Sequence, residues 1–233
     1  MEGRGRSRLI VALDVPTSEQ ALSAASRVGP HAAYLKVGMR LFTAEGPALV
    51  RALRAAGHGV FLDLKYHDIP NTVAEAAAAA VGLGVDMFDV HASGSADMVR
   101  AASESTRAEA ARLGAPRPLL LAVTVLTSMP STVEQVVELA VLAREAGADG
   151  VVASAREAGA VRRAAGREFV IVTPGIRPAG AGMDDQRRVA TPADAVAAGA
   201  DYIVVGRPVL AAADPGAAAR AIVEEMERAE VTR

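Results

Sequence analysis

The sequence predicts a single-domain (β/α)8 TIM barrel. Three observations carry this: short β-rich runs alternate with Ala-rich helical stretches, the alternation is evenly spaced, and no linker, low-complexity tract or charge block divides the chain. Eight strand starts between positions 9 and 202 imply a repeat of about 27 residues, the size of one βα unit. Eight such units without a break suit a closed barrel better than an open doubly wound sheet.

Taken in order, the strands read as Leu9–Asp14, Tyr34–Val37, Val60–Lys65, Met87–His91, Leu119–Leu126, Gly150–Ala153, Phe169–Thr173 and Tyr202–Val205. Helix signals fall between them. Thr17-x-x-Gln20, Thr72-x-x-Glu75 and Ser131-x-x-Glu134 resemble capping boxes, in which two backbone N–H groups are satisfied reciprocally. Thr191-Pro192 and Asp214-Pro215 place a cap before a proline at the first helical position. Gly29, Gly57, Gly147 and Gly199 stand where helices should end. The expected layout is a flexible N-terminal tail over residues 1–8 and a barrel over residues 9–233.

Composition excludes several function classes. The 233 residues carry 25 basic and 27 acidic side chains, a net charge of −2, with 3% aromatics. Neither a basic stripe nor a stacking platform for nucleic acid is present. With no cysteine there is no thiolate nucleophile and no cysteine-ligated metal. The apolar run from Leu9 to Leu13 stops at Asp14, too short for a signal-peptide core or a membrane span, so a cytoplasmic location is expected. Of the basic residues 23 are Arg and two are Lys, Lys36 and Lys65. Codon bias accounts for the arginines; the two ammonium groups call for a chemical reason.

In a barrel of this type the active site lies at the C-terminal ends of the strands. With a two-residue period, Phe61, Asp63 and Lys65 share the inward face of the third strand, while Leu62 and Leu64 face the helices. Lys36 points inward between Leu35 and Val37, and Asp14 closes the first strand with the same parity. Lys36, Asp63, Lys65 and Asp68 would then form a compensated array in one mouth, as buried charges require. An ammonium can release a proton and a guanidinium scarcely can, which favours Lys there. The bland alternative is a set of solvated charges on misassigned edge strands. His91 and Asp89 share a parity on the fourth strand as ligands or hydrogen-bonding support, and His67, Asp68 and Asp63 could be read as a metal cluster. His31 and His58 fall at the opposite end of the barrel.

The loops after strands seven and eight often make a phosphate site. Here they read Thr173-Pro174-Gly175-Ile176-Arg177 and Gly206-Arg207-Pro208, with glycines that admit backbone N–H groups to oxygens and arginines that offer a fork of donors. Pro178 to Met183 has the small-residue composition of a lid, or of an ordinary surface loop.

The run Asp63-Leu-Lys65-Tyr-His-Asp68-Ile-Pro-Asn71-Thr72 closely resembles the signature of the orotidine 5′-phosphate decarboxylase family, in its bacterial form. The resemblance extends through Ala12-Leu-Asp14, Leu35-Lys36-Val-Gly, Val90-His-Ala-Ser93, Val123-Thr-Val-Leu-Thr127-Ser, Thr173-Pro-Gly-Ile-Arg177, Asp185-Gln-Arg-Arg188 and Val205-Gly-Arg207-Pro. It implies a (β/α)8 homodimer that decarboxylates orotidine 5′-monophosphate to UMP and CO2, the last step of de novo pyrimidine nucleotide synthesis, with no metal or other cofactor. By position, Lys65 matches the proton donor to C6 and Asp63 the carboxylate beside the substrate's own. Lys36 and Asp14 match ribose contacts, with Lys36 also in the charged array. Asp68 and Thr72 match residues that reach into the neighbouring subunit's site. Thr127 matches the pyrimidine contact, and Arg177, Gln186, Gly206 and Arg207 the phosphate and closing-loop group. Two rivals stand beside it: a metal-dependent sugar-phosphate decarboxylase or aldolase on a related barrel, and a catalytically silent nucleotide-binding protein.

Overall fold

The computed structural model describes residues 8–178 and 190–231. Eight parallel strands close in chain order: β1 (Leu9–Ala12), β2 (Tyr34–Gly38), β3 (Val60–Tyr66), β4 (Met87–His91), β5 (Leu119–Val123), β6 (Gly150–Val152), β7 (Val170–Thr173) and β8 (Tyr202–Val205). Around them run α1 (Ser18–Val28), α2 (Met39–Ala55), α3 (Pro70–Gly82), α4 (Ala96–Leu113), α5 (Val133–Glu145), α6 (Ala155–Ala165) and α7 (Pro192–Ala198). Two helices, α8 (Arg207–Leu210) and α9 (Pro215–Val231), follow β8.

Strand alternation divides the apolar residues into two cores. Outward residues such as Val11, Leu35, Leu62 and Phe88 pack under the helices. Inward residues Ile10, Phe61, Met87, Leu121 and Val172 form a separate buried cluster that fills the barrel axis. A filled axis gives the mouth a dry floor, so the next inward residues towards the C-terminal ends face a cavity rather than a channel.

The opposite end is latched by a repeated device. Asp86, Asp149 and Asp201 precede β4, β6 and β8, and each carboxylate accepts an N–H from the first two residues of the preceding strand: Val60 at 2.7 Å, Leu120 at 2.8 Å and Ile171 at 2.7 Å. Each also pairs with an arginine, Arg54, Arg117 and Arg162 respectively. A buried backbone N–H needs an acceptor, and a carboxylate is a charge-assisted one.

Several boundaries differ from those the sequence suggests. Arg8 belongs to the barrel, not to a tail: its carbonyl accepts from Ile203 N–H at 3.0 Å and its Nε donates to Asp201 O at 2.7 Å. Residues 1–7 lie outside the described residues. Thr17, Thr191 and Asp214 cap as expected, accepting from Gln20, Asp194 and Ala217. The fifth helix is capped by Thr132 with Gln135, not by Ser131 with Glu134; there both halves of the reciprocal pair form. Thr72 is inside α3 rather than at its cap, because Pro70, with its preset φ, begins the helix one turn earlier. β5 ends at Val123, not Leu126, since Val125, Leu126 and Thr127 bend over the mouth.

Candidate active site

The site is built on an irregularity in β3. Leu62 pairs with Phe88 and Tyr66 with Val90, so four steps on β3 (66 − 62) face two on β4 (90 − 88). The excess bulges across Asp63–Lys65, and Lys65 adopts a left-handed φ of 51°. That conformation costs a non-glycine residue about 1–3 kcal/mol and persists only where its surroundings enforce it. Asp89 supplies the constraint, its Oδ1 accepting the Lys65 N–H at 2.8 Å. The alternation inferred from sequence names the inward residues correctly, and the bulge sets the backbone conformation from which Lys65 enters the mouth.

Asp63 is clamped between the two lysines. Its Oδ2 lies 2.9 Å from Lys36 Nζ, and its Oδ1 accepts from Lys65 Nζ. Unit charges at 2.9 Å attract by about 6 kcal/mol at an effective dielectric of 20, enough to offset removal from water. Burial opposes ionisation of Asp63, but Lys36 and then Lys65 hold its carboxyl well below the usual carboxylate range. Burial likewise opposes the Lys36 charge, and Asp63 with Asp14 overcomes it and leaves that pKa raised. Asp14 Oδ1 is 3.9 Å from Lys36 Nζ, and Asp89 Oδ2 is 3.9 Å from Lys65 Nζ.

Two adjoining cavities share Lys36, Asp63 and Lys65. One, of about 300 Å³, extends over Asp14, Gly38 and Arg40. The other, of about 190 Å³, is walled on one side by Lys36, Asp63, Lys65 and Asp89. Its opposite wall is apolar, with Val123, Leu126, Val152, Pro174 and Val204, and Thr127 at the edge. Strands β2 to β4 thus contribute charge while β5 to β8 contribute hydrocarbon. Such a cavity accepts a flat, weakly polar ring whose one edge carries an anionic group. Two glycines keep the charged side open. A Cβ on Gly38 would stand 3.2 Å from Lys36 Nζ, and one on Gly206 would stand 3.0 Å from Asp14 Oδ2.

A family model described as orotidine 5′-phosphate decarboxylase / HUMPS family matches residues 7–222. The chain belongs to that family. It is a decarboxylase, 54% identical over 95% of its length to the orotidine 5′-phosphate decarboxylase of Moorella thermoacetica, of which 93% is covered. The corresponding enzyme of Nitrosococcus oceani is 50% identical, with 95% of this chain and 98% of that one covered. Among solved structures, the orotidine 5′-phosphate decarboxylase of Lactobacillus acidophilus superposes with a TM-score of 0.82 at 40% identity, covering 94% of this chain and 99% of that one.

Within this decarboxylase the expected site residues separate into three groups. Lys36, Asp63, Lys65 and Thr127 converge on the smaller cavity, and Asp14, its side chain 58% exposed, borders the larger one. Gly206 adjoins Asp14 at the end of β8, with exposed Arg207 next to it. Asp68 is a correction to the array as read from one chain: it is exposed, as Thr72 is, and its carboxylate accepts the Ile69 N–H. The strand has ended by then, so parity no longer governs where Asp68 points. Arg177 is 6% exposed and lines neither cavity; its backbone N–H donates to Ala190 O at 3.0 Å. Gln186 and the stretch to Met183 fall outside the described residues from 179 onwards.

The cluster of His67, Asp68 and Asp63 is not formed, and no three His, Asp or Glu side chains group as metal ligands among the described residues. His67 instead lies against His91, ring centroids 5.3 Å apart. Burial, then His67 and Lys65, push the His91 pKa down. No helix among the described residues is long and apolar enough to cross a membrane. Asp89 is the site residue that sequence reasoning underrated; its signal was a carboxylate on the inward face of a strand. Val123, Val152 and Val204 carried no signal at all, since an inward valine reads as core.

Proposed function

We propose that this decarboxylase converts orotidine 5′-monophosphate to UMP and CO2, completing pyrimidine nucleotide synthesis, with residues 8–233 as the catalytic barrel. The observation that carries the reading is the two-sided cavity: a Lys36–Asp63–Lys65 clamp faces an apolar wall edged by Thr127. A pyrimidine ring suits the apolar wall, with its C6 carboxylate turned towards the lysines. Departure of CO2 leaves a carbanion at C6 without a π-acceptor, so it must be stabilised in place by a preorganised cation. Lys65 serves as that cation and then protonates C6. Asp63 lies beside the departing carboxylate, where two like charges about 4 Å apart repel by roughly 4 kcal/mol at an effective dielectric of 20. That is about a thousandfold in rate, a minor share for so difficult a reaction. Carbanion stabilisation and phosphate-driven closure therefore carry more weight.

Lys36 and Asp14 hold the ribose, and Gly206 and Arg207, with Arg177 and Gln186, take the phosphate. Binding energy from that remote group supports an ordered site around the reacting ring. Asp68 and Thr72, exposed in one chain, complete the site of a second copy in a homodimer. The deciding experiment follows the loss of orotidylate absorbance with and without chelator. Turnover unaffected by chelation is expected; activity that vanishes with EDTA and returns with magnesium would point to the metal-dependent sugar-phosphate chemistry, and UMP binding without turnover to a silent binder. Mixing inactive Lys65→Ala and Asp68→Ala chains should restore activity if sites are shared, and no restoration would remove Asp68 from the neighbouring site.

A further inference from the structure

Asp89 is the most deeply buried charged group of the site, 1% exposed, and the reaction above does not use it. Its two oxygens differ. Oδ1 accepts the Lys65 N–H at 2.8 Å. Among the described residues Oδ2 has no hydrogen-bond partner, and Lys65 Nζ, which bonds to Asp63, stands 3.9 Å off, beyond hydrogen-bond distance. A buried carboxylate oxygen without a donor is costly, and a second one beside Asp63 adds like-charge repulsion. Both problems ease if Oδ2 carries a proton, because the acid can then donate towards Asp63, whose carboxylate shares the Lys65 ammonium with it.

We propose that Asp89 is a positioning residue that stands in the site as a neutral carboxylic acid, accepting from the Lys65 backbone and donating to Asp63. The groups that face it are Asp63, Lys65 and Tyr66 on β3 and Lys36 on β2. Its neighbour across β5 is the apolar Leu121. Burial and then the Asp63 charge push the Asp89 carboxyl well above its ordinary range, and Lys65 does not reverse this. The consequence is a charge count. With Asp89 ionised, the two ammonium groups would meet two buried carboxylates and cancel. With Asp89 neutral, Asp63 is the one buried carboxylate that faces Lys36 and Lys65, leaving one net positive charge among the buried groups of the wall that receives an anion. The same side chain holds Lys65 at its left-handed φ, which aims the ammonium into the cavity.

The inference rests on the proposed reaction for its catalytic meaning, but its protonation state is measured on the protein alone. Infrared spectra of the free enzyme at neutral pH should show a protonated-carboxyl C=O band that shifts in D2O and is missing from Asp89→Asn. Asp89→Ala should lower kcat about tenfold to a hundredfold, the loss expected for one buried hydrogen-bonding partner. Asp89→Asn, whose amide keeps both the acceptor and the donor, should recover most of that loss. A wild-type spectrum without the band, or an Asn variant no better than Ala, overturns the inference. Should the Ala variant fail to fold, an Asn variant more than about a hundredfold below wild type does the same. Failure of the wild type to turn over orotidine 5′-monophosphate would instead overturn the reaction and leave the infrared result standing.

Discussion

Replacing Lys65 by alanine removes the ammonium of the proposed proton donor while leaving most of the scaffold in place. Asp63 keeps its contact with Lys36 at 2.9 Å, so no buried carboxylate is stranded. The left-handed φ of 51° strains Ala as it strains Lys, and the backbone N–H still reaches Asp89 at 2.8 Å. Two losses multiply. A cation about 4 Å from a carbanion is worth roughly 4 kcal/mol at an effective dielectric of 20, about a thousandfold. Loss of a positioned acid removes about another hundredfold to ten-thousandfold. Turnover of orotidine 5′-monophosphate should therefore fall by at least about a hundred-thousandfold in an absorbance assay, with a thermal transition close to that of wild type. Turnover within about tenfold of wild type, in a protein that melts normally, would refute the assignment. Lys65→Arg sharpens the test, since it retains charge but holds its proton too tightly to donate. An Arg variant at the wild-type rate would leave Lys65 no role as acid.

Other consequences concern stability and geometry. Because the folded Asp63 pKa lies below the unfolded value of about 3.9, its ionisation stabilises the fold above that pH, and the contribution is lost as pH falls. Urea midpoints measured between about pH 5 and pH 3 should drop more steeply for wild type than for Asp63→Asn, and parallel curves would contradict the clamp. Asp149→Ala should destabilise by about 2 kcal/mol, seen as a Tm lower by roughly 4–8 °C, because the buried Leu120 N–H loses its acceptor. An unchanged Tm would mean that water replaces the latch. Gly38→Ala should displace Lys36 Nζ, which would lie 3.2 Å from the new methyl, and lower kcat/KM by about tenfold to a hundredfold. Wild-type kinetics would show that the lysine has room to yield.

Much of the barrel was legible because alternation is a local property. Eight runs of apolar, β-rich residues can bury themselves only by pairing, and intervening Ala-rich stretches of helix length force the pairing to be parallel. The same period named Lys36, Asp63 and Asp14 as inward or terminal, since a strand's two faces are set by its own residues. Helix starts were less secure. Ser131 and Thr132 both offer a capping hydroxyl, and only the observed hydrogen bonds distinguish them.

By itself, then, the sequence determined the fold class, the family, and which few charged residues gather at the C-terminal mouth, because those follow from periodicity and from a ten-residue signature. Tertiary structure decided the rest. The bulge that holds Lys65 at its left-handed φ depends on Asp89, on the next strand, accepting its backbone N–H. The division of the cavity into a charged and an apolar half depends on strands β5 to β8 meeting β2 to β4 across the axis. Asp68, two residues beyond the strand, is turned out to solvent where parity no longer applies. In the first two cases the deciding contact joins residues far apart in the chain, and a local pattern holds no information about which groups will face each other once the barrel closes.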